Sequence, residues 1–344
     1  MDKLFSIIIP CYNAVDYLEH SLGSAVNQTI DKDMYEIIAV NDASTDNTPE
    51  VLRGWEQKYP ELIRVITYDV NLRQGGARNT ALKIAEGDYI CFLDADDILK
   101  ADALESFLDG IGNGDQDIVT AKFEVINEYP ASSPEPPQTD HIKSSVEKVF
   151  DPVNNMEEYI SYDLGFVWSS VYRRKMITEN EVWFPEHLAY EDIYWQRLIK
   201  FYAKSACIVD AVTHDYYIHP GSTMNTRNAK HHIDRLTCCE MLLADCEKRG
   251  FLDKYRSQIL KDTMETYLYN SYYMFFTKMD DIPDVYSRIR STLYKFFPDW
   301  ESSYDDSDIP MVFRYLLKFI KKAKSAKPAD LQPFKDAILE LSAE

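Results

Sequence analysis

Between residues 4 and 125 the apolar positions alternate between short continuous runs and helical spacing. Residues 4–9 form an apolar run halted by Pro10, the pattern of a strand buried on both faces. Residues 17–26 carry apolar side chains at helical intervals, and residues 36–40 read as a second buried strand. A further helix follows Ser44, Thr45 and Asp46, with Ser44 or Thr45 expected to cap it. Residues 62–68 give a third strand, Gly75 and Gly76 open a helix reaching Ala85, and residues 89–93 give a fourth strand ending in Asp94-Ala95-Asp96-Asp97. A helix over 101–108 and a strand over 117–123 complete the series. Strict alternation of strand and helix implies right-handed crossovers and a mainly parallel central sheet flanked by helices, a Rossmann-like α/β arrangement.

Beyond this region the pattern changes. Residues 130–138 are rich in Pro and Ser and read as an exposed loop. Tyr159, Trp168, the pair Glu191-Asp192 and a loop-like stretch over 217–222 follow. From about residue 230 helical spacing dominates, and no internal repeat is visible. The expected organisation is a catalytic domain over 1–225, with halves 1–125 and 126–225, followed by a helical region over 226–344.

Charge narrows the function classes. The 344 residues carry a formal net charge of −20, which argues against nucleic acid as the main partner, because a phosphate backbone demands clustered cations. The basic residues of 311–327 run against this trend: Arg314, Lys318, Lys321, Lys322, Lys324 and Lys327 lie beside an apolar stripe of Met311, Val312, Tyr315, Leu316, Phe319 and Ile320. Such a helix either rests on an anionic membrane surface or packs against its own domain or a second copy of the chain. Six cysteines without a CxxC pair point to reduced thiols, and His231, His232, Cys238, Cys239 and Cys246 match no zinc spacing. Residues 5–9 are too short for a signal peptide, and no stretch approaches the ~20 apolar residues of a spanning helix. The expected location is the cytoplasm, with peripheral contact at the inner face of the plasma membrane.

In open α/β sheets the ligand lies outside the carboxyl ends of the strands. Three polar clusters fall there: Pro10 to Asn13, Asn41-Asp42, and Asp94-Ala95-Asp96. Two carboxylates flanking one residue can face a single hard cation, Mg²⁺ or Mn²⁺, which in turn can hold a diphosphate; a plain acidic turn is the competing explanation. Asp42 could accept from a base imide, which would select uracil, or merely cap a turn. Arg78, in the glycine-containing segment 71–79, could pair with a diphosphate. Glu191 and Asp192 sit at a helix start, where the dipole favours carboxylates. They are either ordinary helix-start charges or the site of a base that removes a hydroxyl proton.

Together the segments SIIIPCYNAVDYLEHSLGSAVNQT, YEIIAVNDASTDNT, NLRQGGARNTALKIAEGDYICFLDADD and YEDIYW resemble the family 2 inverting glycosyltransferases of the GT-A fold. The resemblance implies transfer of a sugar from a uridine-diphosphate donor to a hydroxyl of a growing surface glycan such as exopolysaccharide, capsule or teichoic acid. It assigns Pro10 and Tyr12 to the uracil site, Asp42 to the base, and Asn71 and Arg78 to the nucleotide. Asp94 and Asp96 become the family's Asp-x-Asp, with Asp96 the principal metal ligand and Asp94 nearer the ribose or the metal's waters. Asp192 becomes the catalytic base. Glu191, His219 and Ser222 become donor or acceptor contacts. Asn41 departs from the family's usual Asp-Asp. Two other readings compete: a nucleotidyltransferase on a similar sheet, which would call for a Gly- and Arg/Lys-rich turn after the first strand, and a non-catalytic glycan-assembly partner, which would have no need of a base. The donor sugar, the linkage and the oligomeric state are not readable from the sequence.

Overall fold

The computed structural model describes residues 3–112, 116–129, 143–162, 165–219, 229–279, 285–307 and 309–341. The chain forms two compact units, 1–220 and 221–344.

The first unit is built on a sheet of nine strands among the described residues: β1 (Phe5–Cys11), β2 (Tyr35–Asp42), β3 (Ile63–Tyr68), β4 (Tyr89–Phe92), β5 (Ile98–Leu99), β6 (Ile118–Ile126), β7 (Val146–Phe150), β8 (Ser170–Arg173) and β9 (Ala206–Tyr217). The order is β3-β2-β1-β4-β8-β6-β9-β5, with β7 also on β9. Strands β3, β2, β1 and β4 are mutually parallel, as strand-helix alternation demands. From β8 onward the sheet is mixed: β8 runs antiparallel to both β4 and β6, while β6 and β9 are parallel. The parallel expectation therefore holds for the first half of the sheet alone.

Crossover helices α1 (Leu18–Val26), α2 (Thr48–Lys58), α3 (Arg73–Ile84) and α4 (Ala103–Ile111) cover the strands. β1 and β2 are buried along their whole length, the condition for their unbroken apolar runs. Phe5, Ile7, Ile9, Ile37 and Ala39 join Leu18, Leu22, Leu52 and Phe107 in one core. The start of α2 departs from expectation. It begins at Thr48, whose N–H donates to Asp46 Oδ1 at 2.9 Å, and Ser44 Oγ accepts from Asn13 N–H at 3.0 Å instead of capping the helix. Asp46 reaches the first free N–H because it lies two residues before it; Ser44 is too far upstream.

Helices α5 (Pro152–Ser161), α6 (Arg174–Glu179) and α7 (Glu191–Lys200) follow. The 184–185 segment brings α7 to the sheet. A Cβ on Gly75 would lie 2.2 Å from the Pro185 carbonyl oxygen, so only glycine admits this approach. Asn79 fastens it, donating to the Phe184 carbonyl at 2.9 Å and accepting from the Phe184 N–H at 2.8 Å. Trp195 of α7 then stacks on Phe184, centroids 4.5 Å apart.

The second unit is helical in its described residues: α8 (Ala229–Lys248), α9 (Phe251–Lys254), α10 (Arg256–Asp262), a π-helical stretch (Thr263–Tyr269), α11 (Asn270–Lys278), α12 (Tyr286–Phe296), α13 (Trp300–Ser303), α14 (Met311–Lys322) and α15 (Pro328–Leu341). Cys238, Cys239 and Cys246 are buried along α8. In α14 the apolar stripe divides. Val312, Phe313, Leu316, Leu317 and Ile320 are buried within the unit, and Met311 and Tyr315 are exposed. Phe319 packs on Tyr286 and Phe334. Most of this face is thus covered by its own unit. Among the described residues no helix is long and apolar enough to cross a membrane.

Candidate active site

The carboxyl ends of β1, β2 and β4 lie side by side, with Cys11 registered against Asn41 and β4 continuing directly into Asp94-Ala95-Asp96-Asp97. The backbone here is under local strain. Asn13, Ala43, Arg73, His187 and Tyr190 all have positive φ although none is glycine, and they flank these strand ends and the start of α7. Such conformations cost of order 1–3 kcal/mol each and gather where geometry is imposed by function.

On the β2 side, Asp42 is buried and Tyr12 is 52% exposed, while Pro10 is buried at the end of β1. Asp42 Oδ1 accepts the Leu72 N–H at 2.7 Å, and Asn71 Nδ2 donates to the Asp42 carbonyl at 3.0 Å. Asp42 and Asn71 therefore shape the turn that leads from β3 into α3. Burial pushes the Asp42 carboxyl up, and the N–H groups of Leu72 and Arg73 pull against it. Asn41, the residue that departs from the family pattern, uses its side-chain oxygen to accept the Ser44 N–H at 3.2 Å.

Arg78 ties the two acidic motifs together. It is 2% exposed. One terminal nitrogen donates to Asp94 Oδ1 at 2.7 Å and the other to Glu191 Oε1 at 2.6 Å. Its guanidinium also lies over the rings of Phe184 and Phe92, at 5.3 and 5.8 Å from the centroids. These bonds use two of the five guanidinium N–H groups, and Arg78 Nε is buried without a hydrogen bond. Burial pushes Glu191 up, Arg78 pulls it down, and Asp192 pushes it up again. Asp192 itself is half-buried, and its Oδ1 accepts the Ile193 N–H at 2.9 Å. It stands one residue from the buried Glu191, facing less enclosed surroundings.

Asp94, Asp96 and Asp97 crowd one another. Burial raises Asp96, and Asp94 raises it further; a bond from His219 opposes both. Burial together with Asp94 and Asp96 drives Asp97 well above the usual carboxylate range. Asp97 Oδ1 accepts the Tyr217 N–H at 2.9 Å, anchoring the end of β9, and its Oδ2 is buried without a hydrogen bond. His219 Nε2 lies 2.9 Å from Asp96 Oδ2, and His219 Nδ1 is 3.2 Å from the Tyr17 hydroxyl. Tyr129 donates to the Asp96 carbonyl and stacks on Tyr17 and His20. Ser222 lies outside the described residues.

This cluster fits a hard divalent cation. Mutually repelling carboxylates, with one buried oxygen lacking a partner, are the oxygen donor set such an ion takes, and Mg²⁺ in particular is held by one or two carboxylates with water and substrate phosphates completing its shell. Among the described residues no group of three or more His, Cys, Asp and Glu side chains is placed to hold a metal ion.

Sequence reasoning singled out the acids but not their supports. Asn79, Asp97, Tyr17, Tyr129 and the left-handed His187 and Tyr190 carried no distinct role there. Asp97 was visible as the third acid of its run. The tyrosines lie more than 100 residues apart in part and had no local signal.

Comparison with known proteins identifies the family and the fold. The model of the family described as Glycosyl transferase family 2 matches residues 6–180. A poly(ribitol-phosphate) beta-glucosyltransferase of Bacillus spizizenii is 34% identical over 62% of the chain, a stretch that spans 31% of that protein's own length. The putative glycosyltransferase EpsH of Bacillus subtilis is 29% identical over 74% of the chain and 72% of its own length. The structure of Staphylococcus aureus TarS 1-349 in complex with UDP-GlcNAc superposes with a TM-score of 0.71 at 19% identity, covering 98% of this chain and 92% of that one, a likeness of fold.

Proposed function

The chain belongs to glycosyl transferase family 2, and from that premise we propose that it is an inverting glycosyltransferase moving a sugar from a uridine-diphosphate donor to a hydroxyl of a growing surface glycan. The observation that carries this reading is the buried Arg78 bridge. It joins Asp94, at the end of β4, to Glu191, beside Asp192 at the start of α7. In this reading the bridge would keep a donor-side acid pair and the helix bearing the acceptor-side base in one site, as in-line displacement requires.

In this reading Tyr12 offers its exposed ring to the base, and Pro10, Asp42 and Asn71 form the floor and turn around it. Asp94 and Asp96 would hold Mg²⁺ or Mn²⁺, which neutralises charge on the departing diphosphate. Asp192 takes the proton from the acceptor hydroxyl as that oxygen attacks the anomeric carbon. Glu191, locked to Arg78, orients the start of α7, and His219 contacts the donor side through Asp96. Support for a UDP-sugar donor comes from the fold shared with a structure in complex with UDP-GlcNAc, and support for a glycan acceptor from the names of the relatives.

The same proposal covers 1–225 as the catalytic region and 226–344 as a helical accessory region, working at the inner face of the membrane. Met311, Tyr315 and Lys318 are the surface residues of α14 that would touch it. Flotation with anionic liposomes tests that point: Lys318→Glu should reduce binding, and no binding by the wild type refutes it.

The central test is a thermal-shift screen of nucleotide sugars with and without Mn²⁺. A UDP-sugar should raise Tm, and Mn²⁺ should enlarge the rise. No shift with any nucleotide sugar would overturn the reading.

A further inference from the structure

Four rings from distant parts of the chain gather beside Asp96. His219 sets its Nε2 2.9 Å from Asp96 Oδ2, and Tyr129 donates to the Asp96 carbonyl. Tyr217 stacks on His219 with centroids 5.4 Å apart at 17°, and it meets Tyr129 at 4.1 Å. Tyr17 stacks on Tyr129 at 5.7 Å and 23°. The donor chemistry proposed above uses His219 and Asp96 and gives Tyr17 no part. Yet the Tyr17 hydroxyl lies 3.2 Å from His219 Nδ1.

Tyr17 is anchored apart from the acids. It stands just before α1, where its N–H donates to the Ala14 carbonyl at 2.9 Å. The Ala14 N–H donates in turn to Thr48 Oγ1 at 2.9 Å, at the start of α2. His219 follows β9, whose last residue is tied in place by the bond from the Tyr217 N–H to Asp97 Oδ1 at 2.9 Å. The Tyr17–His219 contact therefore joins the turn after β1 to the end of β9, at the acidic run that follows β4.

The chemistry of the two bonds gives each a direction. An ionised carboxylate only accepts, so the contact with Asp96 puts the imidazole proton on Nε2. A neutral imidazole has one N–H, and its Nδ1 is then an acceptor facing the Tyr17 oxygen. A phenol supplies the matching proton. Burial first, then Asp16, Tyr217 and Asp96, raise the Tyr17 hydroxyl above its ordinary value, so it stays protonated. A second partner of this kind fixes both the tautomer and the plane of an imidazole, and removing such outer partners from a metal site weakens metal affinity by roughly 10–100-fold.

We propose that Tyr17 is a positioning residue for the metal-bound donor: its hydroxyl donates to His219 Nδ1, which directs the Nε2 proton at Asp96 Oδ2 and leaves the other oxygen of Asp96 to the divalent cation. This rests on the reading of Asp96 as a metal ligand given above. Tyr17 acts through His219 and touches neither the cation nor the sugar.

Tyr17→Phe keeps the ring that stacks on Tyr129 and deletes only the hydroxyl, so two measurements on the full chain separate hydrogen bonding from packing. The first is ¹⁵N NMR of histidine-labelled protein without metal or donor. The His219 signals are identified among the 7 histidines by their loss in His219→Gln. Wild type should show a proton on Nε2 and a hydrogen-bonded, unprotonated Nδ1. Tyr17→Phe should move the Nδ1 shift to that of a free ring nitrogen and speed exchange of the Nε2 proton with water. The second is a Mn²⁺ titration in the presence of UDP, read by EPR of the free ion. Tyr17→Phe should raise the Mn²⁺ Kd about tenfold. The same substitution should have no effect in the His219→Gln background, because a glutamine amide can donate to Asp96 with no second ring nitrogen to govern.

A proton on both ring nitrogens of wild-type His219, or a His219 spectrum unchanged by Tyr17→Phe, would overturn the inference. So would equal loss of Mn²⁺ affinity in both backgrounds, the result a packing role predicts. Absence of Mn²⁺ binding by the wild type sinks the cation reading and this inference with it, whereas normal wild-type binding that Tyr17→Phe leaves untouched sinks this inference alone.

Discussion

Replacing Arg78 with methionine should be the most damaging single change that leaves the site's volume nearly intact. Methionine can lie against the same two rings, Phe92 and Phe184, so packing is largely kept and the lost element is charge. Glu191, whose side chain is 5% exposed, would be left buried without its cation. Asp94, at 18%, has more access to water and suffers less. Breaking a buried ion pair from one side costs about 3–5 kcal/mol. For a unit of this size each kcal/mol shifts Tm by roughly 2–4 °C, so Arg78→Met should lower Tm by about 6–20 °C. Four of the five tryptophans, Trp55, Trp168, Trp183 and Trp195, lie in the first unit, so urea unfolding followed by tryptophan fluorescence reads the affected part. The reasoning also demands a rescue. Glu191→Gln in the Arg78→Met background removes the stranded charge and should recover about 2 kcal/mol. A variant within about 1 kcal/mol of wild type, or a double variant less stable than the single, would refute the bridge as the device holding α7 to β4.

Other outcomes follow from the same geometry. Asp192→Asn should abolish transfer while the UDP-sugar thermal shift persists; full turnover would remove Asp192 as the base. Asp96→Ala should cancel the extra Tm gain that Mn²⁺ gives with a UDP-sugar and leave the metal-free shift nearly unchanged; a Mn²⁺ effect equal to wild type would remove Asp96 as a ligand. His214 is buried, and burial lowers its pKa from 6.5 to about 4, against a raising backbone contact at Phe92. Its folded form resists protonation, so stability is full above pH 6.5 and falls as pH drops toward 4, because the unfolded chain takes up the proton first. The loss amounts to about 3 kcal/mol. His214→Phe should flatten urea-derived stability across that window relative to wild type, and parallel curves would contradict the assignment.

The first half of the fold was legible from local pattern. Strands β1, β2 and β4 are buried along their length and read as apolar runs, whereas the edge strand β3 is only partly buried; the helices between them must keep one apolar side. Those constraints act on neighbouring residues, so they are written in neighbouring residues. The later half was not legible in the same way. β8 and β6 pair antiparallel, and β9 joins β6 in parallel from about 90 residues away. Half-exposed strands such as β6 carry weak patterns, and nothing local states which edge they will find. The capping of α2 failed for a smaller reason: a side chain's partner depends on where the backbone turns, and Ser44 was turned toward Asn13.

The site divides along the same line. The sequence alone determined which acids stand at strand ends, because a strand that ends in Asp94-Ala95-Asp96 presents them wherever the sheet goes. Only the tertiary structure decided what those acids meet. Arg78 is 16 residues from Asp94 and 113 from Glu191, yet it bonds both. Gly75 admits Pro185, Asn79 clasps Phe184, and His219 reaches Asp96 across 123 residues. The physical reason is that hydrophobic periodicity is a property of one element, whereas burial of a charge is a property of the place where several elements converge. An arginine in a glycine-containing turn looks like a surface cation until the fold closes around it and supplies two carboxylates.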